Sequence, residues 1–183
     1  MDKISVVVSS PVDTYSGYGA RSRDFVKALM ALDKYDVKLL SQRWGNTRFG
    51  YLEDHDEDDL LVNIIPQMTS QPDIWIQITV PNEFQKVGKY NIGVTAGIET
   101  TLCDKTWIEG INRMDIVLTS SKHSKSVLEE TKWDIKDNRT NQIVETQVAE
   151  TPIEVLFEGI DNNKYKVNPN SSFDLSSIQE EFC

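Results

Sequence analysis

Histidine and cysteine are scarce in this chain, with two of each among 183 residues. His55, His123, Cys103 and Cys183 do not form a zinc-ligand spacing, and two cysteines make no disulfide framework. A metal site built from His and Cys is therefore not expected, and Cys183 reads as a free thiol. Long apolar runs are also lacking. No stretch approaches the ~20 consecutive apolar residues that cross a bilayer, so no membrane span is expected. The run Ile4-Ser5-Val6-Val7-Val8 passes straight into Ser9-Ser10-Pro11, which reads as strand then turn rather than as a signal peptide. A cytoplasmic setting fits. Basic residues are outnumbered, 19 Lys and Arg against 29 Asp and Glu, giving a formal net charge of -10 at pH 7. Such a surface repels a phosphate backbone, so nucleic acid is not an expected partner.

What is present is an ordinary apolar share of 39%, spread in a regular alternation of strand and helix patterns. Strands are expected over Ile4–Ser9, Asp36–Leu40, Asp73–Ile78, Tyr90–Thr95, Asp115–Leu118 and Pro152–Phe157. Between them, Phe25, Val26, Ala28, Leu29 and Leu32 have helical spacing, and Asp58–Ile65 reads as a short helix stopped by Pro66. Asp104 is placed to cap a helix carrying Trp107, Ile108, Ile111 and Met114, and Ser120-Ser121 to cap one with Val127 and Leu128. This cadence predicts βαβ units, hence an α/β fold with a parallel sheet and helices on both faces. The acidic run Glu53–Asp59 reads as a solvated loop leading into a helix, with a cation site as the lesser alternative. Trp133–Glu150 reads as an insertion, with a hairpin through Gln142-Ile143-Val144.

In an open parallel sheet, ligands bind beyond the carboxyl ends of the strands, and the unusual residues cluster there. After the first strand, Gly17 and Gly19 allow a sharp turn and a close backbone approach at a helix amino terminus. Arg21 and Arg23 add charge nearby. The same loop also serves as a tight strand-to-helix connection. Gly17-Tyr18-Gly19 lacks the third glycine of a dinucleotide fingerprint, so NAD is disfavoured. Glu99 follows Gly97 beside Thr100 and Thr101, where it would bond sugar hydroxyls or act as a general base, or else cap the next helix. Trp44 is suited to stacking on a sugar ring or to partly buried packing. His123, in the first turn of its helix, fits a surface role.

Several of these segments carry a resemblance. Ser16–Leu29 resembles the glycine-rich first loop and helix of GT-B glycosyltransferases of the group 1 type. Asn91–Thr101 is similar to the central strand and loop of their amino-terminal domain, and Ile116–Lys125 to a later strand, Ser and helix. Val155-Leu156-Phe157-Glu158-Gly159-Ile160-Asp161 resembles the strand and Gly-hydrophobic-Asp turn before the crossover to the second domain. The likeness runs in order over about residues 3 to 165, and its flavour is that of enzymes from bacteria and their tailed phages. One departure is Glu158, which stands where an asparagine is often found before that glycine.

The resemblance implies a Rossmann-like amino-terminal domain over residues 1–165, a single half of a GT-B enzyme. Residues 166–183 are then a linker or truncated crossover to a missing second domain. It further implies transfer of a sugar from a nucleoside-diphosphate sugar to an acceptor, with retention, without a metal and with no cofactor beyond that substrate. Gly17, Tyr18, Gly19, Arg21 and Arg23 would form the donor phosphate loop. Trp44, Thr100, Thr101, Asn82 and Glu83 would meet the acceptor, and Glu99 would be catalytic. Activity is expected only with a second half. The competing expectation is a non-catalytic binding or assembly module that pairs with a separate second half or with itself. A nucleotide-binding regulator is the third.

Overall fold

The computed structural model describes residues 3–160 together with Asn162, Tyr165 and Lys166. Asp161, Cys183 and all of the expected linker except Lys166 lie outside the described residues. In chain order come β1 (Ile4–Ser10), α1 (Gly17–Ala31), β2 (Tyr35–Ser41), α2 (Tyr51–Asp54) and α3 (Asp58–Leu61). Then follow β3 (Ile74–Ile78), a 3-10 turn at Pro81–Glu83, β4 (Tyr90–Thr95), α4 (Lys105–Ile111) and β5 (Ile116–Thr119). The last are α5 (Lys122–Glu130), β6 (Trp133–Lys136), β7 (Ile143–Gln147) and β8 (Ile153–Val155).

Among the described residues, six strands form a parallel sheet in the order β2-β1-β3-β4-β5-β8. Helices cover both faces, so the expected Rossmann-like α/β architecture is what the chain adopts. The two-residue period of the strands sorts their side chains into two cores. Val6, Val8, Ile76 and Ile78 pack with Val26 of α1, Leu52 of α2 and Leu60 of α3. On the other face, Val7, Trp75 and Val117 pack with Ile108 and Ile111 of α4 and Leu128 of α5. Burial on both faces is why β1 reads as a continuous apolar run rather than an alternating one.

The chain leaves β1 towards β2 on one side, then returns with β3 on the other. The loops after β1 and β3 therefore diverge, and a crevice opens at the carboxyl edge of the sheet. Both expected helix caps form: the side chains of Asp104 and Ser121 accept from Thr106 N–H and Ser124 N–H. The expected hairpin forms as the antiparallel pair β6–β7, with Ile143 and Val144 in its second strand.

Four local expectations are corrected. The helix expected over Asp58–Ile65 stops at Leu61. Beyond it the backbone runs beside β2, with Leu39 N–H donating to Asn63 O and Ile65 N–H to Leu39 O. Part of the acidic run is helical rather than loop, because the Asp13 carboxylate accepts from Gly50 and Leu52 N–H and so caps α2 from outside. The last strand ends at Val155, not Phe157: Leu156 N–H still bonds Thr119 O, and the chain then leaves the sheet. Leu32, expected in the helical apolar series, lies just past the end of α1 as its C-cap and is half exposed.

Candidate functional site

The glycine-rich loop folds as a helix start. Ser16 is the N-cap of α1, its Oγ accepting from Gly19 N–H at 2.9 Å. Gly19 is required by packing: a Cβ there would lie 2.3 Å from the carbonyl oxygen of Thr14. Gly17 has open space where its Cβ would be, so it faces the cleft described below. Arg23 points the other way. Its Nη1 donates to Val12 O at 2.8 Å and Thr14 O at 2.9 Å, and the guanidinium lies 3.4 Å from the Tyr51 ring centroid. Burial pulls its pKa below the usual arginine value, partly offset by Tyr51 and nearby carboxylates. Arg23 therefore braces the loop from inside and is not presented to a donor phosphate.

Gly17, Tyr18 and Arg21 line a cleft of about 800 Å³ between α1, the ends of β3 and β4, and residues 156–160. Its floor is apolar, formed by Ile78, Val94 and Ala96. Tyr18 Oη accepts from Ala96 N–H at 3.1 Å and meets Thr95 Oγ1 at 3.2 Å, which ties α1 to the end of β4. Trp44 stacks on Tyr18 with ring centroids 4.1 Å apart, and it also lines the cleft. The packing and ligand-facing readings of Trp44 thus coincide in one geometry.

Two cations line this cleft, and both are held by carboxylates of the chain itself. Lys27 Nζ lies 2.6 Å from Glu57. Arg21 Nη1 lies 3.0 Å from Glu158 Oε1, its Nη2 donates to Leu156 O at 3.1 Å, and its buried Nε has no hydrogen-bond partner. These bonds strap residues 156–158 across one side of the opening.

A second recess of about 340 Å³ sits at the crevice between β1 and β3. Its lining is polar: Ser9, Gln42, Arg43, Gln77, Thr79 and Glu83 contribute. Gln77 is buried yet satisfied, donating to Glu83 O and accepting from Gln85 N–H. Thr79 Oγ1 donates to the Glu83 carboxylate. Of the residues expected to meet an acceptor, Glu83 is therefore here, with Asn82 exposed beside it in the 3-10 turn.

Glu99, Thr100 and Thr101 are exposed in the loop after β4 and line neither recess. Thr100 Oγ1 donates to Leu102 O. The capping alternative for Glu99 does not hold, because Asp104 caps α4. Gly97 sets this loop with φ +92°, and a Cβ there would meet Ser124 Oγ at 2.2 Å. His123 is exposed in the first turn of α5. No three of the described His, Cys, Asp and Glu residues are grouped so as to hold a metal ion. Residues that sequence reasoning passed over include Thr95, Ala96, Ser9 and Gln77. Only the position of each at a strand end could have flagged them. The pairing of Glu158 with Arg21 had no local signal at all.

Comparison with family models, curated proteins and solved structures finds no match for the chain.

Proposed function

We propose that this chain is the acceptor-side, Rossmann-like half of a glycosyltransferase whose donor is a nucleoside-diphosphate sugar. The observation that carries the reading is the 800 Å³ cleft at the carboxyl edge of the sheet. It combines the amino end of a 15-residue helix, an arginine and a stacked Tyr18–Trp44 pair. The unpaired amides and positive dipole end of α1 favour a diphosphate. The aromatic pair offers surface to a base or sugar ring. In the same reading the polar recess around Glu83 and Thr79 receives the hydroxyls of the acceptor. Transfer itself requires a second, facing unit that completes the grip on the nucleotide. The test is a titration of the isotopically labelled chain with UDP and GDP, followed by amide chemical shifts. Shifts should concentrate at Gly17–Arg21 and Thr95–Ala96, with no hydrolysis of UDP- or GDP-sugars by the chain alone. Shifts confined to other regions, or none at millimolar nucleotide, would sink the reading.

The alternative, an assembly module without catalysis, is favoured by a different observation. Phe157, Ile160 and Tyr165 are 78%, 67% and 70% exposed, an apolar series close along the chain of the kind that marks contact surfaces. Sedimentation equilibrium separates the two: a stable dimer lost on Phe157→Ser and Ile160→Ser supports assembly, while a monomer that binds nucleotide supports the donor-site reading.

A further inference from the structure

We infer that Glu158 is an internal stand-in for a ligand phosphate, so that a diphosphate must displace it from Arg21 and loosen residues 156–160 to bind. This rests on the donor-site reading above and assigns that site its regulation.

The Arg21 side chain is only 14% exposed, while its partner Glu158 is 54% exposed. The guanidinium is therefore set into the wall, and the carboxylate is the solvent-facing member of the pair. Glu158 fills one Nη and the Leu156 carbonyl the other, leaving the buried Nε with no partner. A guanidinium is a planar fork whose two Nη groups a single two-oxygen anion can bridge, and here that pair is divided between a carboxylate and a carbonyl. A phosphate would supply both acceptors, with more charge than one carboxylate.

Charge balance points the same way. The other cation lining the cleft, Lys27, is already paired with Glu57, and the chain carries a formal net charge of -10. Among the described residues, an anion entering the cleft finds no lining cation without a carboxylate against it. Exchange at Arg21 is the opening available. Because Glu158 and Leu156 both bond the same side chain, anion binding and release of the strap are one event.

The test uses the 183-residue chain and inorganic pyrophosphate at low ionic strength, with affinity read by calorimetry. Glu158→Gln should bind pyrophosphate about fivefold tighter than wild type, the size expected from freeing an arginine of a partly exposed ion pair. Glu154→Gln removes the same charge next to the strap without touching Arg21, and should change affinity less than twofold. On an Arg21→Gln background, Glu158→Gln should bring no gain. Chymotrypsin cleavage after Leu156 and Phe157 should accelerate with pyrophosphate in wild type and start fast in Glu158→Gln. Equal affinities for wild type and Glu158→Gln overturn the inference while leaving the diphosphate site standing. A gain that persists without Arg21, or is matched by Glu154→Gln, also overturns it. If no variant binds pyrophosphate, the donor-site reading falls with it.

Discussion

Arg21 and Arg23 lie two positions apart on α1, and the helix turns them to opposite faces. Arg21 reaches into the cleft wall, while Arg23 bonds two carbonyls of the loop that precedes its own helix. Charge type and spacing make them equivalent in sequence. Only the direction of each side chain from the helix separates them, and that depends on where the sheet lies. Replacing Arg23 by Met keeps the packing length but leaves the Val12 and Thr14 carbonyls buried and unpaired. Hydrogen bonds from a charged donor contribute roughly 1.5–3 kcal/mol each, so a loss of about 3 kcal/mol is expected in urea unfolding. A change under about 0.5 kcal/mol would mean that water or a neighbour replaces the guanidinium.

At the scale of elements, legibility follows length and burial. The strands between Ile4 and Leu118 were readable because β-branched runs bounded by turn residues have few other stable fates. The four-residue helix α2 was not, since its sequence Tyr-Leu-Glu-Asp carries no internal period and its cap comes from Asp13 in another loop. Asp13→Ala should therefore melt α2 selectively. The expected cost is about 1–2 kcal/mol, with faster hydrogen exchange at Leu52–Asp54 and little change in β3 or β4. The site shows the same limit. Its position at the carboxyl edge followed from the βαβ pattern, and Gly17, Tyr18, Arg21 and Trp44 do line the cleft. Glu99 stands out in sequence through its neighbours Gly97, Thr100 and Thr101, yet the Gly97 turn sets it in an exposed loop that lines neither recess. Nothing in local sequence reveals a pairing such as Arg21 with Glu158.

For the molecule as a whole, the two ends of the sheet differ in kind. The carboxyl edge holds the cleft, whereas the amino edge is laced by carboxylates. Asp73 accepts from Ser5 N–H and Oγ and from Lys89, and these bonds hold its pKa down to about 2, the Lys89 bond foremost. Asp115 accepts from Asn91 N–H and Nδ2 and is lowered for that reason, the side-chain bond first. Because the folded values lie below the unfolded value of about 4, the stabilisation is present above that pH. For Asp73 it is lost as pH falls from about 4 to about 2. Asp73→Asn should flatten that part of the acid limb in urea midpoints measured against pH, without altering cleft affinity at pH 7. An acid limb identical to wild type would show that Asp73 does not govern it.

β8 contributes three residues, enters from Pro152 and points Glu154 outward against Lys125. β2 has residues 63–65 lying along its free side. A parallel sheet with long bare margins would recruit strands from other copies and grow into insoluble fibres. Here one margin is very short and charged, and the other is partly roofed by the chain itself. Among the described residues, growth of the six-stranded sheet by strand addition at either margin is thereby disfavoured.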